Sequence, residues 1–158
     1  RSALGLPASV LRSVRRLTQR RGRDVARAFL AEGRQAVREG REFLVMGDFN
    51  IAPTDADVWN TTYRKDKILV SVPERSALTA LKGAGLTDAW EIGLHAPDTF
   101  SWWDYRMLGF QKNRGMRIDH ILIGDALRPL ARACHIDRTP RKNKQPSDHT
   151  PVVLTLAS

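Results

Sequence analysis

Apolar and polar positions fall into alternating strand-like and helix-like stretches along the chain. From Phe43 to Met46 the residues are uninterrupted apolar, a run of strand length that stops at Gly47, and Asp48 and Asn50 follow two positions apart. Residues two apart on an extended segment point the same way, and in α/β proteins ligands bind at the carboxyl ends of strands. Asp48 and Asn50 are therefore expected to share one cleft. The plainer alternative is a strand-ending turn in which the acid serves as a cap.

Upstream, residues 1–42 read as a basic helical lead-in. Leu11, Val14 and Leu17 stand at helical spacing among Arg12, Arg15, Arg16, Arg20, Arg21 and Arg23, and after Gly22 a second helix carries Val25, Ala28 and Phe29 with Asp24 as its cap. A DNA-binding arm and a solvated helix face are both open readings, the second favoured because arginine stems commonly cover apolar surface. Downstream, Pro53 stops any central strand, and Asp55 and Asp57 read as caps before candidate ligands. Ser71-Val72-Pro73-Glu74 has capping-box spacing, Leu78 and Leu81 supply a buried side, and Gly83 and Gly85 end that helix. Thr87-Asp88-Ala89-Trp90 opens a short helix, and His95 lies in a Gly- and Pro-containing loop as a surface histidine.

Thr99 to Arg106 is the most aromatic segment, with the composition of a strand and the loop after it. Alternation places Trp102 and Trp103 on opposite sides, so one is core and the other is free to stack on a base or sugar. Arg106, Lys112, Arg114 and Arg117 supply cations around the turn signal Asn113-Arg114-Gly115. Arg117 to Ile123 reads as the next strand. Asp119 is out of place in it, because an acid among apolar residues costs several kcal/mol unless it finds a partner, either a nearby arginine or a histidine that it orients. His120 points to the other face. Leu127, Leu130 and Ala131 suggest a short helix, Cys134-His135-Ile136 a strand, and Asp137 to Gln145 a loop whose Arg138, Arg141, Lys142 and Lys144 face phosphates or solvent. Ser147-Asp148-His149-Thr150-Pro151 precedes a closing strand from Val152 to Leu156.

Composition narrows the partner class. The 158 residues suit one domain, and the net charge of +9 favours a polyanion, nucleic acid first. Cys134 is the only cysteine, which excludes an internal disulfide and a multi-cysteine zinc site and fits a buried thiol in a reducing compartment. With no apolar run of membrane-span length, the expected location is the cytoplasm.

Three separated segments then carry a resemblance: Gly47-Asp48-Phe49-Asn50-Ile51-Ala52-Pro53; Trp102-Trp103-Asp104-Tyr105-Arg106 with Asn113-Arg114-Gly115-Met116-Arg117-Ile118-Asp119-His120; and Pro146-Ser147-Asp148-His149. In this order they resemble the exonuclease III-like AP endonucleases of the endonuclease/exonuclease/phosphatase superfamily. The resemblance implies an α/β fold, the C-terminal half of a four-layer α/β sandwich with mixed, mostly antiparallel sheets. It implies hydrolysis of double-stranded DNA, at abasic sites or 3′-blocked ends, with Mg²⁺ or alternatively Mn²⁺. By motif, Asp48 orients or deprotonates the attacking water, Asn50 binds the scissile phosphate, Asp119 holds His149, and His149 contacts a phosphate oxygen. Asp48, Asn50 and Asp148 are the implied metal-site residues, and Trp102, Arg106, Lys112, Arg114 and Met116 the implied nucleic-acid contacts, with Trp102 and Met116 in the damage-recognition pocket.

Members of this family are longer, and their first half supplies an early Asn, a metal-binding Glu, a tyrosine and an Asp/Asn pair with no counterpart upstream of Phe43. Residues 1–158 are therefore expected to be one partial domain lacking its N-terminal half, completed by that half or by self-association. Two other functions remain open: a non-catalytic DNA-binding fragment, and a phosphodiesterase acting on non-nucleic-acid phosphoesters.

Overall fold

A computed structural model describes residues 31–60, 62 and 69–157; the basic helices expected around Leu11 to Leu17 and Val25 to Phe29 lie outside the described residues. The strands are β1 (Leu44–Asp48), β2 (Leu86–Asp88), β3 (Trp102–Trp103), β4 (Gly115–Met116), β5 (Asp119–Gly124), β6 (Ala131–Ile136) and β7 (Val152–Leu156). One α-helix, α1 (Val72–Lys82), has its bounds described in full, and a helical segment at 31–38 precedes β1. All described strand pairs are antiparallel: a three-stranded sheet in the order β1-β5-β2, and the pairs β3-β4 and β6-β7.

The central strand β5 is buried from His120 to Gly124 because both of its faces are covered. Leu122, paired with Val45, packs on the helical side with Ala36, Phe43, Leu78 and Leu86. Ile121 and Ile123 face the opposite way with Leu44, Leu127 and Cys134, under Val152, Leu154 and Leu156 of β7. Helices, central sheet and β6-β7 thus form successive layers. Each fully buried Leu or Ile contributes about 1.5–3 kcal/mol relative to exposure, so this two-sided burial fixes the register of β5.

Local signals account for the element ends. At α1 the Ser71 N–H donates to Glu74 Oε2 at 3.1 Å, the reciprocal half of a capping box, with Pro73 in the first turn. Gly85 closes the segment at φ +92°, and a Cβ there would fall 2.8 Å from Val37 Cγ1. The short helical turn expected at Thr87 starts instead at Ala89, capped by Asp88, whose Oδ1 accepts from Trp90 N at 3.1 Å. Leu86, Thr87 and Asp88 are a strand: they extend the sheet beside β5, a tertiary pairing that local periodicity does not carry. The aromatic strand is likewise shorter than its composition suggests, ending at Trp103 before a turn at Arg106–Leu108.

Arg117 departs most from expectation. Expected among the cations around the aromatic segment, it has a side chain only 6% exposed and forked between Asp57 Oδ1 at 2.7 Å and Asp88 Oδ2 at 2.8 Å. Burial alone would lower its pKa; the charges of Asp88 and Asp57 outweigh that and raise it. Asp88 is held well below the usual carboxylate range, since bonds and charge from His120 and Arg117 overcome the upward push of burial. Asp57 does act as a cap, accepting from Thr54 N at 2.9 Å, and also as a buried ion-pair partner. Arg117→Met strips both acids of their counter-charge and is expected to destabilise the fold by about 3–5 kcal/mol, read as a lower midpoint in urea unfolding.

Candidate active site

The site begins with a register. Antiparallel pairing of β1 with β5 sets Asp48 directly opposite Asp119, so two carboxylates meet across the sheet. Beyond Asp48 the strand stops. Asn50 takes φ +54°, the left-handed region that asparagine tolerates better than most residues, and its backbone N–H and Nδ2 donate to Asp48 Oδ1 and Oδ2, both at 2.9 Å. Asp48 and Asn50 do share one place, but through this turn; the extended alternation expected of them is absent because the chain reverses.

Across the sheet, Asp119 is held from two sides. Ser101, fully buried, donates from Oγ to Asp119 Oδ2 at 2.7 Å, and that same Oγ accepts the N–H groups of Ile118 and Asp119, each at 3.1 Å. His149 Nδ1 lies 2.9 Å from Asp119 Oδ2 and 3.1 Å from Oδ1. The partner is therefore a histidine and not an arginine. His149 Nε2 then stands 3.9 Å from Asp48 Oδ2, so the imidazole spans the space between the opposed acids. Burial alone would lower His149, but the bond and charge of Asp119, followed by the charges of Asp48 and Asp148, raise it above the ordinary histidine value. Burial lifts Asp48, with repulsion from Asp119 adding to it, against the Asn50 bonds and the charge of His149.

The segment delivering His149 is laid along β3. Trp103 N donates to Asp148 O at 3.0 Å, Thr150 N donates to Ser101 O at 2.8 Å, and Trp102 bridges to His149. Trp103 is the fully buried member of the pair; Trp102 is half-buried and donates its indole N–H to Asp148 Oδ2 at 3.0 Å. Gly115 is required opposite Trp103, since a Cβ would come 2.5 Å from the indole nitrogen.

Of the remaining candidates, Arg106 and Lys112 are exposed, and Arg114 is half-buried with its guanidinium 5.2 Å from the Trp59 ring centroid. Met116 is fully buried with Ala52, Val58 and Ile118, under Trp102, so it supports the site from within the core and presents no surface to DNA. Arg141, expected to face phosphates or solvent, is buried against Trp103, Tyr105 and Phe110. Ser101 is the participant that sequence reasoning missed; its only signal was a small hydroxyl between Phe100 and Trp102 in an aromatic strand.

Asp48, Asp119 and His149 present ligand atoms within 4.8 Å of one another, a carboxylate and imidazole cluster able to hold a metal ion. His149 Nδ1 is committed to Asp119, which leaves oxygen donors as the better fit for a hard cation. Asp48 and Asp148 each keep carboxylate lone pairs beyond the bonds described.

A sequence model of the endonuclease/exonuclease/phosphatase family matches residues 4–149. The chain belongs to that family. Exodeoxyribonuclease III of Haemophilus influenzae is 38% identical over 116 residues, covering 69% of this chain and 43% of that protein. The DNA repair nuclease APEX1 of Danio rerio is 31% identical over 121 residues, covering 75% of this chain and 38% of that protein. The solved 3′-5′ exonuclease NExo of Neisseria meningitidis superposes with a TM-score of 0.74 at 32% identity, over 90% of this chain and 57% of that one. An AP endonuclease from Archaeoglobus fulgidus, 24% identical over 85% of this chain and 55% of that one, has the same fold at a TM-score of 0.71. The chain thus spans about half, or less, of the length of these relatives.

As in its endonuclease/exonuclease/phosphatase relatives, the fold is the layered α/β sandwich with antiparallel sheets. Among the described residues no helix is long and apolar enough to cross a membrane.

The pairing of His149 with Asp119 has a measurable signature. His149 in the metal-free protein is expected to titrate above its ordinary 6.5 by NMR, and Asp119→Asn to bring it down. Because the folded value is the raised one, the pairing stabilises the fold fully below pH 6.5 and loses that contribution as pH rises through the folded value. The stability difference between wild type and Asp119→Asn should shrink across that window; a difference that grows with pH would contradict the assignment.

Proposed function

We propose that this protein hydrolyses phosphodiester bonds of double-stranded DNA in repair, as an exonuclease III-type enzyme acting at abasic sites or 3′-blocked ends. The observation that carries this reading is the imidazole of His149, fixed by Asp119 and standing 3.9 Å from Asp48 at the end of β1. Phosphodiester hydrolysis needs an aligned water and neutralised non-bridging oxygens. Asp48, its pKa lifted by burial, orients the water and takes its proton. Asn50 retains a second Nδ2 hydrogen for a phosphate oxygen, and His149, favoured as the cation, donates from Nε2 to another.

Mg²⁺, with Mn²⁺ as an alternative, suits the oxygen donors of Asp48, Asp148 and the Asn50 side chain, and when bound it supplies further charge neutralisation at the phosphate. Trp102 flanks the metal-site carboxylate Asp148, while exposed Arg106 and Lys112, with Arg114, supply contacts to the DNA backbone. The matched relatives, named as an exodeoxyribonuclease III, a DNA repair nuclease and a 3′-5′ exonuclease, support the same class of reaction. Their greater length leaves room for further site residues. A cytoplasmic location fits the reading.

A duplex carrying one abasic site, incubated with Mg²⁺, tests it. Incision is expected in the wild type and a loss of about a hundredfold or more in kcat for Asp48→Asn and for His149→Ala. Wild-type rates in either variant would sink the proposal. Salt-sensitive DNA binding by the 158-residue chain with no turnover would instead favour a binding-only role for it.

A further inference from the structure

The loop from Asp137 to Gln145 is pinned to the aromatic hairpin in a way that nothing in the chemistry above requires. Arg141 is 6% exposed, and no carboxylate among the described residues pairs with it. Its guanidinium lies 5.0 Å from the Phe110 ring centroid, 5.5 Å from Tyr105 and 5.8 Å from Trp103, with Nε buried and without an acceptor among the described residues. A buried arginine stays charged, so its placement is costly unless that charge is used. Among the described residues, its guanidinium donates from Nη1 to the carbonyl oxygen of Ser147. The preceding carbonyl, of Pro146, accepts from the Tyr105 hydroxyl at 2.8 Å. Two successive carbonyls, immediately before Asp148 and His149, are therefore gripped by side chains that also stack on each other.

We propose that Tyr105 and Arg141 are positioning residues for the reaction, a clamp on the Pro146 and Ser147 carbonyls that sets the direction in which Asp148 and His149 enter the site. The proposal rests on the hydrolase reading for its catalytic consequence, but its geometric content stands apart from it. Gln145, at φ +53°, turns the chain sharply into the clamped segment, and nothing else described holds those two carbonyls. Released, the segment keeps its β3 bonds from Asp148 onward but loses the anchor that fixes their angle. A shift of about 1 Å at His149 is enough to break its bond to Asp119 and to cost on the order of a hundredfold in rate.

Tyr105 is 63% exposed, so Tyr105→Phe removes the grip on Pro146 with little risk to folding; Arg141→Lys keeps the charge and loses the planar fork. The first readout is the slowly exchanging Nδ1 proton of His149, bonded to Asp119, observed by NMR in the metal-free protein. It is expected in the wild type and lost or broadened in both variants, while thermal unfolding of Tyr105→Phe stays within a few degrees of wild type. Arg138→Lys is the control: Arg138 packs on the same Trp103 and Phe110 rings at 5.2 Å but grips neither carbonyl, so its variant should keep the resonance. The second readout is kinetic, a kcat on abasic DNA about tenfold or more lower with KM within about threefold. An unaltered His149 resonance in Tyr105→Phe and in Arg141→Lys overturns the clamp; should Arg141→Lys fail to fold, Tyr105→Phe decides alone. Absence of DNA cleavage by the wild type counts against the hydrolase reading only, since the resonance still decides the clamp.

Discussion

Everything at this site follows from two carboxylates meeting head-on across a pair of strands. Like charges directly opposite in a sheet repel, and Asp48 and Asp119 are register partners. The surrounding structure is arranged to contain that repulsion. Asn50 turns back to place two N–H donors on Asp48; Ser101 and His149 place two groups on Asp119. The imidazole bridges what is left, held to one acid and within ion-pair reach of the other. Containment is incomplete at Asp48, where burial and the charge of Asp119 still push the carboxyl upward against the Asn50 bonds and the charge of His149.

The fold delivers this by using both faces of β5 at once. Asp119 faces Asp48, while the next residue, His120, points the other way and lies 2.8 Å by Nε2 from the carbonyl oxygen of Ile51. Its Nδ1 is 3.0 Å from Arg117 Nη1 and 3.5 Å from Asp88 Oδ2, so the ring joins the buried ion cluster to that carbonyl. Phe49 packs edge-on to the same ring at a centroid distance of 5.5 Å. The turn at 48–51 is thus held from one side by the backbone leading into β5, where Phe49 N donates to the carbonyl oxygen of Ile118 at 3.0 Å, and from the other by the His120 ring at Ile51. The buried Arg117 cluster, far from being a DNA contact, is the rear support of the turn that carries Asp48 and Asn50.

How much of this was legible depended on the range of the interaction. The strand before Asp48, the capping box of α1 and the closing strand are local patterns, and each appears where periodicity or capping chemistry put it. The oddity of Asp119 was legible as energy: an acid in an apolar strand demands a partner, and that demand left an arginine and a histidine both open without saying from which segment. The segment became clear only through motif order. What stayed hidden were pairings across the chain. β2 exists because β5 accepts it, Arg117 is buried because Asp57 and Asp88 lie 60 and 29 residues away, and Ser101 matters because the hairpin sets it beside Asp119. Nothing in the neighbourhood of those residues in sequence carries that information.

Arginine shows the same limit most sharply. A net charge of +9 suggests a surface for polyanions, with Arg117 among the expected cations of the aromatic segment and Arg141 expected to face phosphates or solvent. Yet Arg117 and Arg141 are both interior, one neutralised by acids and the other enclosed by aromatic rings. The two share a task despite opposite environments. A planar guanidinium offers several donors at fixed angles, so it can hold backbone and carboxylate groups from separate segments in one geometry where an ammonium would hold a point. Arg117 reaches Asp57, Asp88 and His120, behind the turn that carries Asp48; Arg141 reaches the carbonyl before Asp148 and His149. Net charge therefore overstates the cations available to a phosphate backbone, and part of the basic composition is spent on the angles at which the acids and the imidazole meet.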